Sequence, residues 1–485
     1  MSAALTAAGT ACAVRVTTAW ESKHMKVLML GWEFPPFISG GLGTACYGLT
    51  KAMSEIGTEV LFVLPKPVES QFTTHVRLMT PALRRAAVPA EAPVEIGQVY
   101  QTSGMPGVTF QTVEAGFGFG PYDRPETRAR RLAELEQERR VRAEAGLKTA
   151  GVDPSVAELA ALIENAASSG AHYGGDLFSE IERYAKLSAI IASREQFDIV
   201  HAHDWMTYRA GIAASAITGK PLVVHVHSTE FDRSGEHVNQ QIYDIERQGM
   251  HFAARVICVS HLTKSIVISR YGVPAGKVDV VYNAVDFNGT APPVDIPAIQ
   301  TNEKIVLFLG RITMQKGPEY FLRAAKKVLD VVPNVRFIMA GSGDMIKSSV
   351  EMAAGLGIGH RVLFTGFLRG PDVERVFRMA DLYVMPSVSE PFGIAPLEAL
   401  SNDVPVLISK QSGVSEILRH ALKVDFWDVD EMANKIIAVL RHNSLHRTLR
   451  EQGSIEVRKL SWIDSARHCL SVYEHALHPA HNGGA

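Results

Sequence analysis

Glu390 and Glu398 flank the segment Glu390-Pro391-Phe392-Gly393-Ile394-Ala395-Pro396-Leu397-Glu398, and two carboxylates so placed could hold a polyhydroxylated ligand. A carboxylate accepts hydrogen bonds from vicinal hydroxyls, the groups that sugars and riboses offer. Between them a strand ends, a glycine-containing turn follows and a helix starts, which leaves the amides of Phe392, Gly393 and Ile394 free to point at a ligand. Glu390 precedes the turn and Glu398 is expected about two turns into the helix, so the two would reach different parts of an extended molecule. Either glutamate alone would read as a helix-terminus carboxylate stabilised by the dipole.

Further upstream, Arg311 and Lys316 straddle the loop GRITMQKG at 310–317, which leads into a helix beginning near Pro318. Two cations there could clamp a diphosphate and offset the charge that develops as it leaves; the alternative is a solvated surface pair. Gly40 and Gly41, in SGGLG at 39–43, let the backbone approach a ligand at the start of a helix, where unpaired N–H groups face an anion. A tight turn that merely packs explains them as well. His201 and His203 lie two apart, as do His225 and His227, so within a strand each pair shares a face. With Asp204 next in sequence, a transition-metal site is one reading. The preferred reading assigns no metal and has His227 and Asp204 contact a polar substrate directly.

These motifs follow short β-branched runs that alternate with amphipathic stretches, the pattern of parallel strands joined by crossover helices. Strands are expected at 25–30, 59–64, 197–201, 221–227, 255–260 and 278–282, and again at 305–309, 335–340, 362–365, 382–385 and 404–408. A proline-rich stretch at 288–301 separates the two series and suits an interdomain linker. The fold class expected is α/β, with two Rossmann-like doubly wound parallel-sheet domains facing a cleft where ligands bind. Residues 1–24 are expected to be a disordered extension. Residues 25–295 would form the first domain, with an insertion at about 66–175 containing strand-like pieces at 94–101 and 108–113 and a charged helix at 124–142. Residues 296–460 would form the second domain, and 461–485 a helix crossing back to the first, followed by a tail.

The composition narrows the function. A net charge of −2 over 485 residues supplies no field to gather nucleic acid or an anionic membrane. The four cysteines, Cys12, Cys46, Cys258 and Cys469, form no metal-ligand spacing and suit a reducing, cytoplasmic compartment. No run reaches the roughly 18 apolar residues that cross a bilayer.

Together the segments WEFPPFISGGLG, HAHDW, GRITMQKG and SEPFGIAPLEA, spread from Gly31 to Glu416, resemble the GT-B retaining glycosyltransferases of family 4 and their glycogen and starch synthase relatives. The resemblance implies that Gly40 and Gly41 lie along the donor phosphates and that Arg311 and Lys316 hold the diphosphate. It places Glu398 on the nucleotide ribose, and Glu390 with the backbone from Phe392 to Ile394 on the transferred sugar. It further sets His227 beside that sugar, Asp204 near the acceptor and Leu368 against the base. Two positions depart from the family pattern. Phe37-Ile38-Ser39 stands where bacterial ADP-glucose synthases carry a lysine before the paired glycines, which makes UDP-glucose or another nucleotide-diphosphate hexose as plausible as ADP-glucose. Ser412-Gly413 stands where relatives often have two glycines.

The reading that follows is a retaining, cofactor-free and metal-independent hexosyltransferase acting on a glycan, by resemblance an α-glucan. The rivals are a family 4 enzyme for mannose or another hexose with a different acceptor, a non-catalytic nucleotide-sugar-binding protein, and a metal-dependent hydrolase built on the H-x-H pairs.

Overall fold

Continuous apolar runs such as KVLML, LVVHV and KIVLFL bury on both faces, which requires helices above and below a parallel sheet, and a computed structural model shows two such sheets. It describes residues 25–35, 41–65, 99–102, 105–112, 177–285 and 303–478. Among the described residues the first sheet has eight strands: β1 (Lys26–Leu30), β2 (Glu59–Leu64), β3 (Val99–Thr102), β4 (Met105–Thr112), β5 (Ile199–His203), β6 (Leu222–Val226), β7 (Arg255–Cys258) and β8 (Val278–Val280), in the order β3-β4-β2-β1-β5-β6-β7-β8. All pairs are parallel except the edge strand β3, which runs antiparallel to β4. The second sheet has six parallel strands: β9 (Lys304–Leu309), β10 (Val335–Ala340), β11 (Val362–Gly366), β12 (Leu382–Met385), β13 (Val406–Ser409) and β14 (Leu422–Val424), in the order β11-β10-β9-β12-β13-β14.

In the first half the helices are α1 (Gly41–Glu55), α2 (Leu177–Arg194), α3 (Trp205–Thr218), α4 (Glu230–Ser234), α5 (Gln240–Phe252) and α6 (His261–Tyr271). The second contributes α7 (Pro318–Leu329), α8 (Ile346–Gly355), α9 (Pro371–Met379), α10 (Ala395–Ser401), α11 (Val429–Arg441), α12 (Asn443–Val457) and α13 (Trp462–Leu477). β3 and β4 fall within the stretch read from sequence as an insertion in the first domain, and they extend the first sheet. The extension at 1–24, the linker at 288–301 and the charged run at 124–142 lie outside the described residues.

Alternation along β5 sorts its side chains by face. Val200 and Ala202 join the core under α2, α3 and α5, while Ile199 joins the core under α1 and α13. His201 and His203 therefore share the α1–α13 face. α13 belongs to that core through Trp462, Ala466, Cys469, Leu470 and Tyr473. Gly48 of α1 makes room for it: a Cβ there would come within 2.2 Å of the Trp462 indole.

The halves also meet through Glu416, Ser260 and Gly413. Glu416 accepts hydrogen bonds from the amides of His261 and Leu262 at 2.9 and 2.8 Å, capping α6 from the other half, and from the Tyr282 hydroxyl at 2.9 Å. Ser260 Oγ donates to Pro391 O at 2.6 Å. Gly413 sits in this contact, and a Cβ on it would meet Pro391 O at 2.3 Å and Ser260 Cβ at 2.5 Å. Ser412, the departure from paired glycines, is accommodated because its hydroxyl turns to Ser409 O at 2.6 Å.

Candidate functional site

β9 delivers Gly310 and the half-buried Arg311 at its carboxyl end, after which Met314–Lys316 makes a single 3₁₀ turn. Gly317 closes that turn in the left-handed region, at φ 64°, and lies so close to Pro386 O that any Cβ would clash. α7 then starts on Pro318, where a missing N–H costs nothing. Folded in this way, the loop presents Lys316 to Glu390: the ammonium pairs with Oε2, which also accepts from Ser387 Oγ at 3.2 Å. Val388 N donates to Gln315 O at 2.9 Å and ties the two loops together.

After Glu390 the chain is held against β13 by Glu390 N to Gln411 O at 2.9 Å and by Val414 N to Phe392 O at 2.7 Å. Gly393 takes a φ of 102°, which L side chains rarely adopt. Among the described residues, no protein acceptor takes the amide hydrogens of Phe392, Gly393 or Ile394, so three N–H groups are available beside Glu390. α10 begins only at Ala395, which puts Glu398 in its first turn and not two turns in. Glu398 lines a cavity of about 220 Å³ with Thr44, Tyr47, Val285, Ile394 and Trp462, and burial pushes its carboxyl up to about 7. Leu368 follows β11, half-buried against the core of the second half. Gly41 is the first residue of α1; Gly40 lies outside the described residues.

On the facing half, Asp204 connects β5 to α3 with a φ of 59°, rare for a non-glycine residue. Its Oδ1 accepts from His227 N at 2.7 Å and Ser228 N at 3.3 Å. Desolvation raises this carboxyl to about 7, against the opposing pull of Arg233 and the two amides. The sequence reading gave Asp204 a direct contact with substrate; the structure turns its carboxylate onto the backbone of the loop that carries His227.

Because β5 and β6 pair with His203 opposite His225, the four imidazoles form one layer. Ring centroids are 4.2 Å apart within each H-x-H pair and 5.2–5.3 Å apart between the pairs. His203 Nδ1 and His227 Nε2 are 2.9 Å apart, and Tyr473 of α13 reaches His201 Nδ1 at 2.5 Å. Burial holds His201 and His227 down to about 3 and pushes His203 and His225 well below their ordinary value, so all four rings are neutral. The nitrogens of His201, His203 and His225 lie within 4.8 Å of one another. The His201 and His225 rings are stacked at an interplanar angle of 8°, and His203 is tilted to them by 33° and 28°.

Sequence reasoning missed the contact between Ser389 Oγ and Asp232 Oδ1, 2.5 Å, which joins the halves next to Glu390. No local pattern marks either residue, although Thr229 and Asp232 form a capping box on α4 that fixes the aspartate.

Comparison with known proteins adds lineage to this geometry. Residues 26–137 match the starch synthase catalytic domain, 163–288 match glycosyltransferase family 4, and 294–455 match glycosyl transferases group 1. An uncharacterized glycosyltransferase of Methanocaldococcus jannaschii is 33% identical over 300 residues, covering 58% of this chain and 76% of that one. The D-inositol 3-phosphate glycosyltransferase of Mycobacterium marinum is 29% identical over 358 residues, 68% of this chain and 76% of that one. In fold the chain is similar to Anabaena HepE in complex with UDP and glucose, at 21% identity and a TM-score of 0.60 over 93% of this chain and 100% of that one. It is also similar to sucrose-phosphate synthase from Thermosynechococcus elongatus, at 17% identity and a TM-score of 0.64 over 94% and 100%. Three consecutive family matches, a relative at this identity and two facing parallel sheets lead to one conclusion: the chain belongs to the GT-B glycosyltransferases, in the group that joins family 4 to the starch and glycogen synthases.

Proposed function

We propose that the chain is a retaining hexosyltransferase that moves glucose from a nucleotide diphosphate, UDP first among candidates, to a hydroxyl of an α-glucan. The observation that carries this reading is the convergence of Lys316 and Glu390 beside three amides that have no acceptor among the described residues. On donor binding Lys316 exchanges its carboxylate partner for the diphosphate, and Glu390 and the amides take the sugar hydroxyls. The acceptor oxygen bonds to the anomeric carbon on the face from which the diphosphate leaves. The carbon–oxygen bond to phosphate breaks, and the acceptor proton passes to a donor phosphate oxygen. Arg311 and Lys316 offset the charge on the leaving group, work that a metal ion performs in other transferases. UDP-glucose bound to Anabaena HepE supports the donor.

A second acceptor class, a polar small molecule, is favoured by the relatives that act on D-inositol 3-phosphate. The test is a panel of UDP-, ADP- and GDP-sugars against glycogen, maltooligosaccharides and inositol 3-phosphate, with and without EDTA, read as released nucleotide diphosphate and as product anomer. EDTA-resistant release with an α-linked product is expected. Tight nucleotide binding without release under any condition would indicate a binding protein, and loss of activity in EDTA would indicate metal chemistry.

A further inference from the structure

We propose that His203 is a positioning residue that fixes His227 as the Nδ1–H tautomer, so that His227 meets the donor sugar or its phosphate as a hydrogen-bond donor and not as a base. The inference rests on the donor-site reading above. His203 Nδ1 and His227 Nε2 stand 2.9 Å apart, and between two neutral rings that gap holds one proton. If His227 carried it on Nε2, the proton of His203 would have to sit on its own Nε2. That atom is buried and has no hydrogen-bond partner among the described residues. If His203 carries it on Nδ1, its Nε2 is a bare lone pair. A buried N–H without an acceptor is the rarer and costlier of the two, so the second arrangement is favoured and His227 holds its own proton on Nδ1.

His227 contributes no atom to the buried unpartnered groups, which leaves Nδ1 as the ring nitrogen open for a ligand. Neighbouring rings keep His203 in place: it lies 4.2 Å from His201 and 5.2 Å from His225, centroid to centroid. Asp204, the next residue, holds the backbone amide of His227. The dipeptide His203-Asp204 thus grips His227 twice, by the ring and by the main chain. With its Nε2 lone pair occupied, His227 has nothing with which to take the acceptor's proton, which agrees with a phosphate oxygen as the proton's destination.

The test is a two-bond ¹H–¹⁵N correlation spectrum of the full-length, ligand-free protein labelled with ¹⁵N-histidine, with His227 assigned by loss of its signals in His227→Gln. A pyrrole-type Nδ1 and a pyridine-type Nε2 are expected. The pattern should persist in His203→Asn, whose amide can donate from nearly the same place, and should move toward the Nε2–H form in His203→Phe. Turnover should fall roughly tenfold to a hundredfold in His203→Phe, with donor KM little moved, and His203→Asn should restore most of it. An Nε2–H signal in the unmodified protein overturns the proposal, as does wild-type turnover in His203→Phe. Because the spectra are taken without substrate, failure to find transferase activity with any donor would sink the functional reading and leave the tautomer to be judged on its own.

Discussion

Lys316 is the residue whose role is most exposed to test. Its charge faces Glu390 in the ligand-free site, and on a leaving diphosphate it would act only as negative charge develops. Replacing it with alanine should lower kcat by about 10²–10³-fold, by analogy with removal of one donor to a developing anion, while circular dichroism stays native. Near-normal turnover would remove the clamp from the mechanism. Asp204 offers a sharper distinction. Asparagine keeps an oxygen for the amides of His227 and Ser228 and tolerates a positive φ, so Asp204→Asn should stay within about tenfold of wild type, whereas Asp204→Ala loses the loop's anchor. Equal losses would mean that the carboxylate itself works on substrate. Glu398 gives a pH signature. Its folded pKa is raised to about 7, so as pH falls through neutrality it becomes protonated and loses acceptor capacity for a ribose. Donor KM should rise below pH 7, and Glu398→Gln should flatten that profile.

At the scale of elements, β5 and β6 carry an acid sensitivity. His225 is buried and neutral with its pKa depressed. Below about 6.5 the unfolded chain takes a proton there that the folded chain refuses, and stability is lost as pH falls further. His225→Leu should reduce the slope of unfolding free energy against pH by up to about 1.4 kcal/mol per pH unit between pH 5 and 6.5, measured by urea titration. It should cost little at pH 7.5, because both replaced nitrogens lack partners. An unchanged slope would mean that water already reaches the ring. The strands themselves were legible: β2, β10 and β12 have the bounds that their β-branched runs suggest. α10 was misread because Pro391 and Gly393 prolong the turn and move Glu398 toward the helix start. β4 overlaps the strand-like piece expected at 108–113, but its pairing with β2 was not visible, since strand order is set across the sheet and not along the chain.

At the scale of the molecule, the two halves are registered by contacts that no sequence window contains. Ser389 and Asp232 are 157 residues apart, and Glu416 reaches His261 across 155. Motif spacing therefore singled out candidate donor residues but missed the groups that bring one half to the other. Glu416 caps α6 from the other half, so Glu416→Ala should cost about 0.5–2 kcal/mol, as caps do. It should also enlarge the radius of gyration in small-angle scattering and lower kcat/KM for the donor. A variant that loses stability without any change in scattering would confine Glu416 to a local role.

The seat of Trp462 against Gly48 and the reach of Tyr473 to His201 have an implication for biosynthesis. The layer that α13 seals was laid down 272 residues earlier, so a nascent chain on the ribosome holds that greasy surface unsealed while the whole second sheet is being made. Chaperone capture should be densest in that interval, and it should end when the Trp462 indole reaches its notch in α1.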